Sequence, residues 1–417
     1  MAATDSRRLA DLDDDELDRL LPLIKVTHFA AHRTSAPGGC GCPCAATRRM
    51  EEGQASSERT PNPPTVAQSS LDNSKKDSEK ALRKRSIKMA MKIINYSEDC
   101  MRKIVELNAT LPLDQHFFPA CIWPRDLEDL RFSKIGFYVD YRLNDTSPTT
   151  WGCKRFAHED KYVASTMLRI NGLVFTGDFP HGRSMHVYGF VAVRDDKEPL
   201  RNYIFNVSRE KACQLNLDSP SLEISPPMRG ISVWDSALIE FHLKVKGSDS
   251  DSSSDDDILI NACMEFDYET IEHDKKLISR IDGPFGPLDM RYIFLKNGIE
   301  ATIDIDLGST SEAYDILLVA FSGEDSMTLY KDRVGQHTKF TAVVIVPLDE
   351  LLHIKAFGTY GSSHFDGNIA VPVLKHGSCK KPFWFQLAEK KSGHKNLPRA
   401  CLEVTFSTMG YYNTGEM

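Results

Sequence analysis

The sequence predicts an all-β core, arranged as one large antiparallel β-sandwich or as two sandwiches in tandem, after a disordered N-terminal tail and one basic amphipathic helix. Runs of alternating apolar and polar residues recur from residue 131 to residue 412, with Gly, Pro, Asp or Ser between them, as in the strands and turns of a sandwich. Apolar residues at helical spacing occur mainly before that region. A net charge of -8 argues against a general nucleic-acid binder.

Residues 1–74 are expected to form the tail. Acidic residues surround leucines between positions 11 and 21, which predicts a short acidic helix that is either solvated or a docking element for a partner. The segment lacks the basic start and apolar run of a secretory signal. Cys40, Cys42 and Cys44 do not have zinc-finger spacing, so a Cys/Gly/Pro linker is preferred to a metal site there.

Residues 75–130 are expected to hold the basic helix and a connector. Ile87, Met91, Ile94, Met101 and Ile104 recur at spacings of three, four or seven, which is typical of one apolar stripe on a helix. The stripe is expected to pack on the β-core. Nuclear import, RNA contact or binding to a membrane surface are the alternatives for the basic face. The candidate import or RNA patch is Lys80, Arg83, Lys84, Arg85 and Lys88.

Residues 131–267 are expected to form the first half of the β-core. The alternation over 185–193 predicts a central strand, and the charged turn after it leads to 203–205 as a hairpin. Residues 215–224 predict a second hairpin around a polar turn. Residues 237–245 alternate cleanly, with Glu240, His242 and Lys244 on one face, which predicts a strand with one face in water.

An acidic loop over 247–257 lies within this half, because SDSDSSSDDD is too polar to be buried. Ser252, Ser253 and Ser254 each have an aspartate three residues later, so the loop is a candidate for phosphorylation. Calcium would need more oxygen ligands in a defined frame than this loop offers.

Residues 268–412 are expected to form the second half of the core. Strands are predicted at intervals from 299–307 onward, and the first of them should carry an acidic outer face. The turn over 280–287 is the candidate joint between two layers or two sandwiches. One interlocked sandwich and two tandem sandwiches both remain open.

Several longer motifs carry a family resemblance: VYGFVAVRD, LRNYIFN, SPSLEISPPMRGI with ALIEFHLKVKG, and RIDGPFGPLDMRYIFLKNGIEATIDI. Together they resemble the plant domain of unknown function 6598, abundant in grasses, over roughly residues 161–408. The resemblance implies no activity, cofactor or catalytic residue. Some members are named after the ribosome-inactivating N-glycosidases.

No catalytic residue is assigned. The phosphate-loop, serine-elbow and zinc motifs are missing from the sequence. Ser362, Ser363, His364 and Asp366 are so close in sequence that a polar hairpin loop is favoured over a triad. The chain also lacks the Glu-Ala-x-Arg helix motif of the N-glycosidases, so depurination is not favoured.

The sequence therefore predicts a non-enzymatic binding or scaffold module that acts through the β-core. The alternative is a stress or defence protein related to the N-glycosidases. A protein partner is expected, RNA contact is the alternative through the basic helix, and no metal, small-molecule cofactor or membrane span is expected. Ten cysteines without a secretory signal indicate a cytoplasmic protein, with nuclear import as the alternative. Six residues at strand ends and turns stand out as fitting geometry or partner contact: Tyr188, Gly189, Arg194, Asp195, Arg229 and Gly230.

Overall fold

A computed structural model describes most of the region predicted to be β-structure. It covers residues 95–125, 141–143, 145–153, 163–179, 182–247, 256–308, 312–361, 363–387 and 399–409. The predicted tail, the basic patch from Lys80 to Lys88, and Ser252, Ser253 and Ser254 lie outside these residues, as does Ser362.

Residues 95–108 form a helix, α1, and a short 3-10 turn follows at Leu113–Gln115. Cys100 and Ile104, one turn apart on the same face, are buried. The Asn108 side chain donates to the carbonyl of Phe117 and accepts from its N–H, both at 2.8 Å. The predicted end of the helix near residue 108 is confirmed.

Strands make up most of the remaining described residues. In chain order they are β1 (Cys121–Pro124), β2 (Ser165–Phe175), β3 (Ser184–Asp195), β4 (Asn202–Val207), β5 (Cys213–Asn216), β6 (Ser221–Leu222), β7 (Ser236–Val245), β8 (Asp257–Asp267), β9 (Leu277–Ile281), β10 (Leu288–Leu307), β11 (Tyr314–Ser322), β12 (Asp325–Val334), β13 (Thr338–Pro347), β14 (Leu351–Tyr360), β15 (Ser363–Pro372), β16 (Gly377–Trp384), β17 (Gln386–Leu387) and β18 (Arg399–Ser407). The prediction of an all-β core is confirmed.

Within the described residues the strands form three sheets, and every pairing between these strands is antiparallel. One sheet has the order β1-β8-β7-β3-β4, with β5 also on β3. A second has the order β16-β18-β10-β2-β6, with β9 and β13 also on β10. The third has the order β12-β11-β14-β15-β17. The predicted central strand over 185–193 is β3, and its hairpin with β4 is confirmed.

Two hydrophobic cores lie between these sheets. Val191, Ile239 and Met264 of the first sheet pack in the same core as Leu173 of the second sheet. The other core joins the second sheet to the third. The described residues therefore form two sandwiches that share their middle sheet.

Strand β10 runs through both cores. Its residues from Leu288 to Leu295 contribute to the first core, and those from Ile299 to Leu307 contribute to the second. The register of β10 with β2 shifts between Leu295 and Gly298, where the strand passes from one core to the other. Whether 131–267 and 268–412 act as domains stays a prediction, and the hydrophobic contacts of the first core extend past residue 267.

The expectation that the 280–287 turn joins two layers is wrong. This turn connects β9 to β10, which pair side by side in the same sheet. The passage between the sandwiches occurs inside β10, where the sequence continues as an unbroken strand and gives no turn signal.

The predicted hairpin over 215–224 is also wrong, although its turn is present. The Asn216 side chain accepts from the N–H groups of Asp218 and Ser219. However, β5 pairs with β3 in the first sheet and β6 pairs with β2 in the second. The turn therefore carries the chain across the core from one layer to the other.

The prediction that β7 and β10 each have one face exposed to solvent is wrong at Glu240 and Glu300. Glu240 on β7 is 2% exposed and Glu300 on β10 is 1% exposed. Their carboxylates accept hydrogen bonds from arginines and from the Gly230 N–H, respectively. A polar residue in an alternating pattern lies in water only when no other part of the chain covers it.

Candidate interaction surface

The outer face of the first sheet contains a buried carboxylate held by arginines. Arg194 Nε donates to Glu240 Oε1 at 2.6 Å, and Arg201 donates to both carboxylate oxygens at 3.1 and 3.0 Å. Arg125, the residue that follows β1, donates from Nε to Glu240 Oε2 at 3.2 Å. Burial alone would raise the pKa of Glu240, but these guanidinium groups hold it below its usual value.

Arg194 also fastens the segment that covers this face. Its terminal nitrogens donate to the carbonyls of Tyr141, Arg142 and Asp145, and to that of Pro199. With the bond to Glu240 the guanidinium makes five hydrogen bonds, three of them from the two N–H groups of one terminal nitrogen. The role of Arg194 is therefore structural.

Asp195, the next residue, faces the opposite side and pairs with Arg229. The two carboxylate oxygens accept from the two terminal nitrogens of Arg229, at 2.5 and 2.7 Å. They also accept from the N–H groups of Lys197, Glu198 and Ser232. Arg229 is fully buried, and the bidentate geometry is the strongest form of such a pair.

Asp196, the third residue of the run, positions an exposed loop. Its Oδ2 accepts from the N–H groups of Trp234 and Asp235, at 3.1 and 3.2 Å. Its Oδ1 is buried, as is the hydroxyl of Ser232, which also acts on this carboxyl. Burial, together with the negative charge of Asp195, raises the pKa of the Asp196 carboxyl to about 6.

The loop held by Asp196 contributes to a group of three aromatic rings, which we call the aromatic patch: Trp234, Tyr268 and His273. The rings of Trp234 and Tyr268 are 6.4 Å apart with an interplanar angle of 31°. Those of Tyr268 and His273 are 5.6 Å apart at 67°. Trp234 is 44% exposed and Tyr268 is 41% exposed.

The backbone beneath the aromatic patch is tied at several points. The Tyr268 N–H donates to the carbonyl of Asp235 at 2.8 Å, next to the β7–β8 pairing. The Glu269 N–H donates to Asp267 Oδ1 at 2.7 Å. His273 Nε2 lies 3.1 Å from the hydroxyl of Thr166 on β2. The rings are thus carried by short loops at the ends of paired strands.

Charged groups of both signs surround the patch. Lys296 acts on the His273 ring, and two further lysines nearby are paired with carboxylates. Lys275 contacts Glu272 at 2.7 Å, and Lys276 contacts Glu324 at 2.9 Å. Asp235 is exposed and makes no ion pair within the part of the chain that the structure describes. The pKa of His273 is lowered, mainly by burial, so its ring is neutral near pH 7.

The six residues that stand out in the sequence have structural contacts. Arg194, Asp195 and Arg229 form the buried pairs just described. Gly189 has φ of 114°, and a Cβ there would lie 2.1 Å from the His242 carbonyl oxygen. The Gly230 N–H donates to Glu300 at 2.6 Å, and the Tyr188 hydroxyl donates to Asp256 at 2.7 Å.

Asp256 closes the base of the acidic loop. It accepts two hydrogen bonds from Arg209, at 2.6 and 3.1 Å, and one from the Gly247 N–H at 2.9 Å. Bonding to Arg209 lowers its pKa. The phosphorylation sites between these anchors, Ser252 to Ser254, stay predictions.

Ser363, His364 and Asp366 lie at the start of β15, where it pairs with β14. The β14–β15 hairpin is present, but these three residues are paired residues of strand β15 and not members of its loop. The aromatic patch, by contrast, was missed by the sequence reasoning. Its three residues come from separate loops. Trp234 lies before β7 and Tyr268 follows β8, and no local sequence motif marks either residue.

Among the described residues, no cluster of three or more His, Cys, Asp or Glu side chains is arranged to hold a metal ion. None of the helices in the same part of the chain has the length and apolar character needed to cross a membrane.

The fold and the patch define an all-β protein with an exposed aromatic surface. The chain belongs to the family described as Domain of unknown function (DUF6598), whose model matches residues 179–385. That range contains all three residues of the aromatic patch. The family resemblance inferred from the sequence motifs is confirmed.

No curated protein matches the chain. Solved structures similar to it include the two C2 domains of Extended-Synaptotagmin 2, with 12% identity, 63% of this chain and 98% of that chain covered, and a TM-score of 0.22. Human GIVD cytosolic phospholipase A2 is 14% identical, with 60% of this chain and 30% of that chain covered and a TM-score of 0.22. At such TM-scores neither likeness informs function.

Proposed function

We propose that this protein is a non-enzymatic binding module that contacts a protein partner through the aromatic patch of its β-core. The observation that carries the proposal is the joint exposure of Trp234 and Tyr268, with ring centroids 6.4 Å apart. Tryptophan and tyrosine contribute most often to the residues that dominate protein interfaces. Two such side chains placed together supply a large contact area with few rotatable bonds.

The hydrogen bonds that hold the loop beneath the rings favour a binding role over an exposure that has no function. Asp196 is buried at a cost in desolvation, and the contacts it gains are to the loop that carries Trp234. A loop fixed in this way loses little conformational entropy when a partner binds. The patch is therefore organised before the partner arrives.

The test compares variants of the full chain that remove one exposed ring each. Trp384 on β16 is 58% exposed and belongs to the second sandwich, so Trp384→Ala is the matched control for Trp234→Ala and Tyr268→Ala. Exposed substitutions of this kind usually change stability by about 0.5 kcal/mol or less, and melting curves check this for each variant.

Immobilised wild-type protein is incubated with cell extract, and the retained proteins are identified by mass spectrometry. We expect a partner that the wild type and Trp384→Ala both retain and that both patch variants lose. A retained set that is identical for Trp234→Ala and wild type would contradict the proposal, as would equal losses in all three variants.

A further inference from the structure

We infer that the aromatic patch receives the cationic side chain of a lysine or arginine, so that the partner segment is basic. This inference rests on the proposed function and specifies the chemistry of the partner. It is carried by the placement of aromatic rings and an exposed carboxylate on the same loops, together with the ion pairs that Lys275 and Lys276 already make.

The ring geometry suits a cation. Trp234 and Tyr268 are too far apart, at 6.4 Å, to cover each other's faces fully, and each is exposed by more than two-fifths. An ammonium or guanidinium group within about 6 Å of such a ring is attracted by the negative face of its π-system. Tryptophan is the strongest of the aromatic residues in this interaction.

Carboxylates add to the same preference. Asp235 follows Trp234 directly and is exposed. Asp196 lies beneath both residues and accepts from their N–H groups through Oδ2 only. Its second oxygen, Oδ1, is buried. A cation above Trp234 would therefore be stabilised chiefly by the exposed carboxylate of Asp235.

Two lysines close to the patch do not oppose this arrangement, whereas Lys296 adds positive charge near His273. Lys275 and Lys276 each contact a carboxylate, Glu272 and Glu324 respectively, within 3 Å. His273 adds an aromatic ring whose pKa is lowered by burial. An acidic partner would instead bring its carboxylates against Asp235, which costs energy.

The experiment measures the binding of a fluorescein-labelled peptide of alternating lysine and glycine to the full chain by fluorescence anisotropy. A lysine-acetylated form of the peptide and a glutamate–glycine peptide serve as ligand controls. Salt near 0.15 M suppresses long-range attraction to the net negative charge. Trp234→Ala and Asp235→Asn are compared with Trp384→Ala and Asp315→Asn, since Asp315 is an exposed aspartate on β11 of the second sandwich.

We expect the lysine peptide to bind, and its acetylated form to bind at least about tenfold more weakly, because acetylation removes the charge. Trp234→Ala should weaken binding by about tenfold, Asp235→Asn by a few-fold, and the two controls not at all. Equal binding of both peptide forms, or equal binding to wild type and Trp234→Ala, would overturn the inference.

The outcomes separate this inference from the proposed function. If the partner retained from extract depends on Trp234 while the lysine peptide does not bind, the surface is an interface but its ligand is not cationic. If neither the partner nor the peptide depends on Trp234, both proposals fail. If the lysine peptide competes with the partner for the wild type, both are supported.

Discussion

In the first sandwich Arg194, Asp195, Arg229 and Glu240 are at most 2% exposed and pair with one another in the interior. In the second sandwich the pairs of Asp306 with Lys339 and of Lys380 with Glu403 lie at the surface, and Arg169 with Asp325 is a partly buried pair where β2 meets β12. The same residue types therefore have different roles in two halves of similar architecture. Buried pairs fix the loops of the first sandwich, whereas surface pairs contribute little to stability.

The largest effect is expected from breaking a buried pair. Asp195→Ala leaves the fully buried Arg229 without its carboxylate and removes the acceptor of three backbone N–H groups. We expect the free energy of unfolding to fall by on the order of 3–5 kcal/mol. The measurement is urea denaturation followed by circular dichroism.

The matched substitution in the second sandwich is Asp306→Ala, which removes an exposed contact with Lys339 at 2.8 Å. Its cost should be below about 1 kcal/mol. Similar losses for Asp195→Ala and Asp306→Ala would mean that the two sandwiches do not differ in the way described.

A smaller and pH-dependent effect is expected at Asp196. Its pKa is raised to about 6 in the folded protein from an ordinary value of 3.8, so the folded state binds more protons than the unfolded state between these values. Stability contributed by this group therefore falls as pH rises from about 4 to 6. Above pH 6 the raised pKa of Asp196 lowers the free energy of unfolding by up to about 3 kcal/mol, relative to a carboxyl whose pKa does not change on folding.

Asp196→Asn keeps an oxygen that can accept from Trp234 and Asp235 but has no charge to desolvate. Its stability relative to wild type should increase between pH 4 and pH 7, as measured by urea denaturation at each pH. Asp315→Asn, at an exposed position, serves as the control and should show no such trend. A stability difference for Asp196→Asn that stays constant with pH would refute this account of the carboxyl.

The smallest effect is expected in an assay of adenine release from ribosomes. The N-glycosidase alternative would need a catalytic glutamate and arginine, and the pair Glu240 with Arg194 is the place where these residue types meet in the first sandwich. Because Arg194 is fully buried and Glu240 is 2% exposed, we expect no adenine release from ribosomes above a heat-treated control. Adenine release that is abolished by Glu240→Gln would assign these buried residues a catalytic role. The buried pairs of the first sandwich would then no longer differ from the surface pairs of the second in a structural role alone.

The sequence was sufficient to predict many strands but not their partners. Alternation located β3 and β7, and the one-sided pattern over 299–307 located the second part of β10. It did not reveal that β5 and β6 belong to different sheets, because that depends on which distant strand completes each edge. Residues far apart in sequence supply these contacts.

The site was less predictable than the fold for the same reason. The Glu240 carboxylate appeared solvent-facing because alternation describes one strand at a time, and it could not show that Arg125, 115 positions away, crosses over it. The aromatic patch is likewise assembled only when β7 and β8 pair and bring residues 234 and 268 together. Neither feature has a local motif.

Strand β10 limits how this protein can be divided or recombined. Its 20 residues, at about 3.3 Å each, form a continuous backbone of roughly 65 Å, and cutting it leaves both cores without a central member. The two sandwiches can therefore be duplicated, deleted or fused to other proteins only as a pair. A partner that touches the aromatic patch and the second sandwich together meets a spacing set by one strand, with no linker to order upon binding.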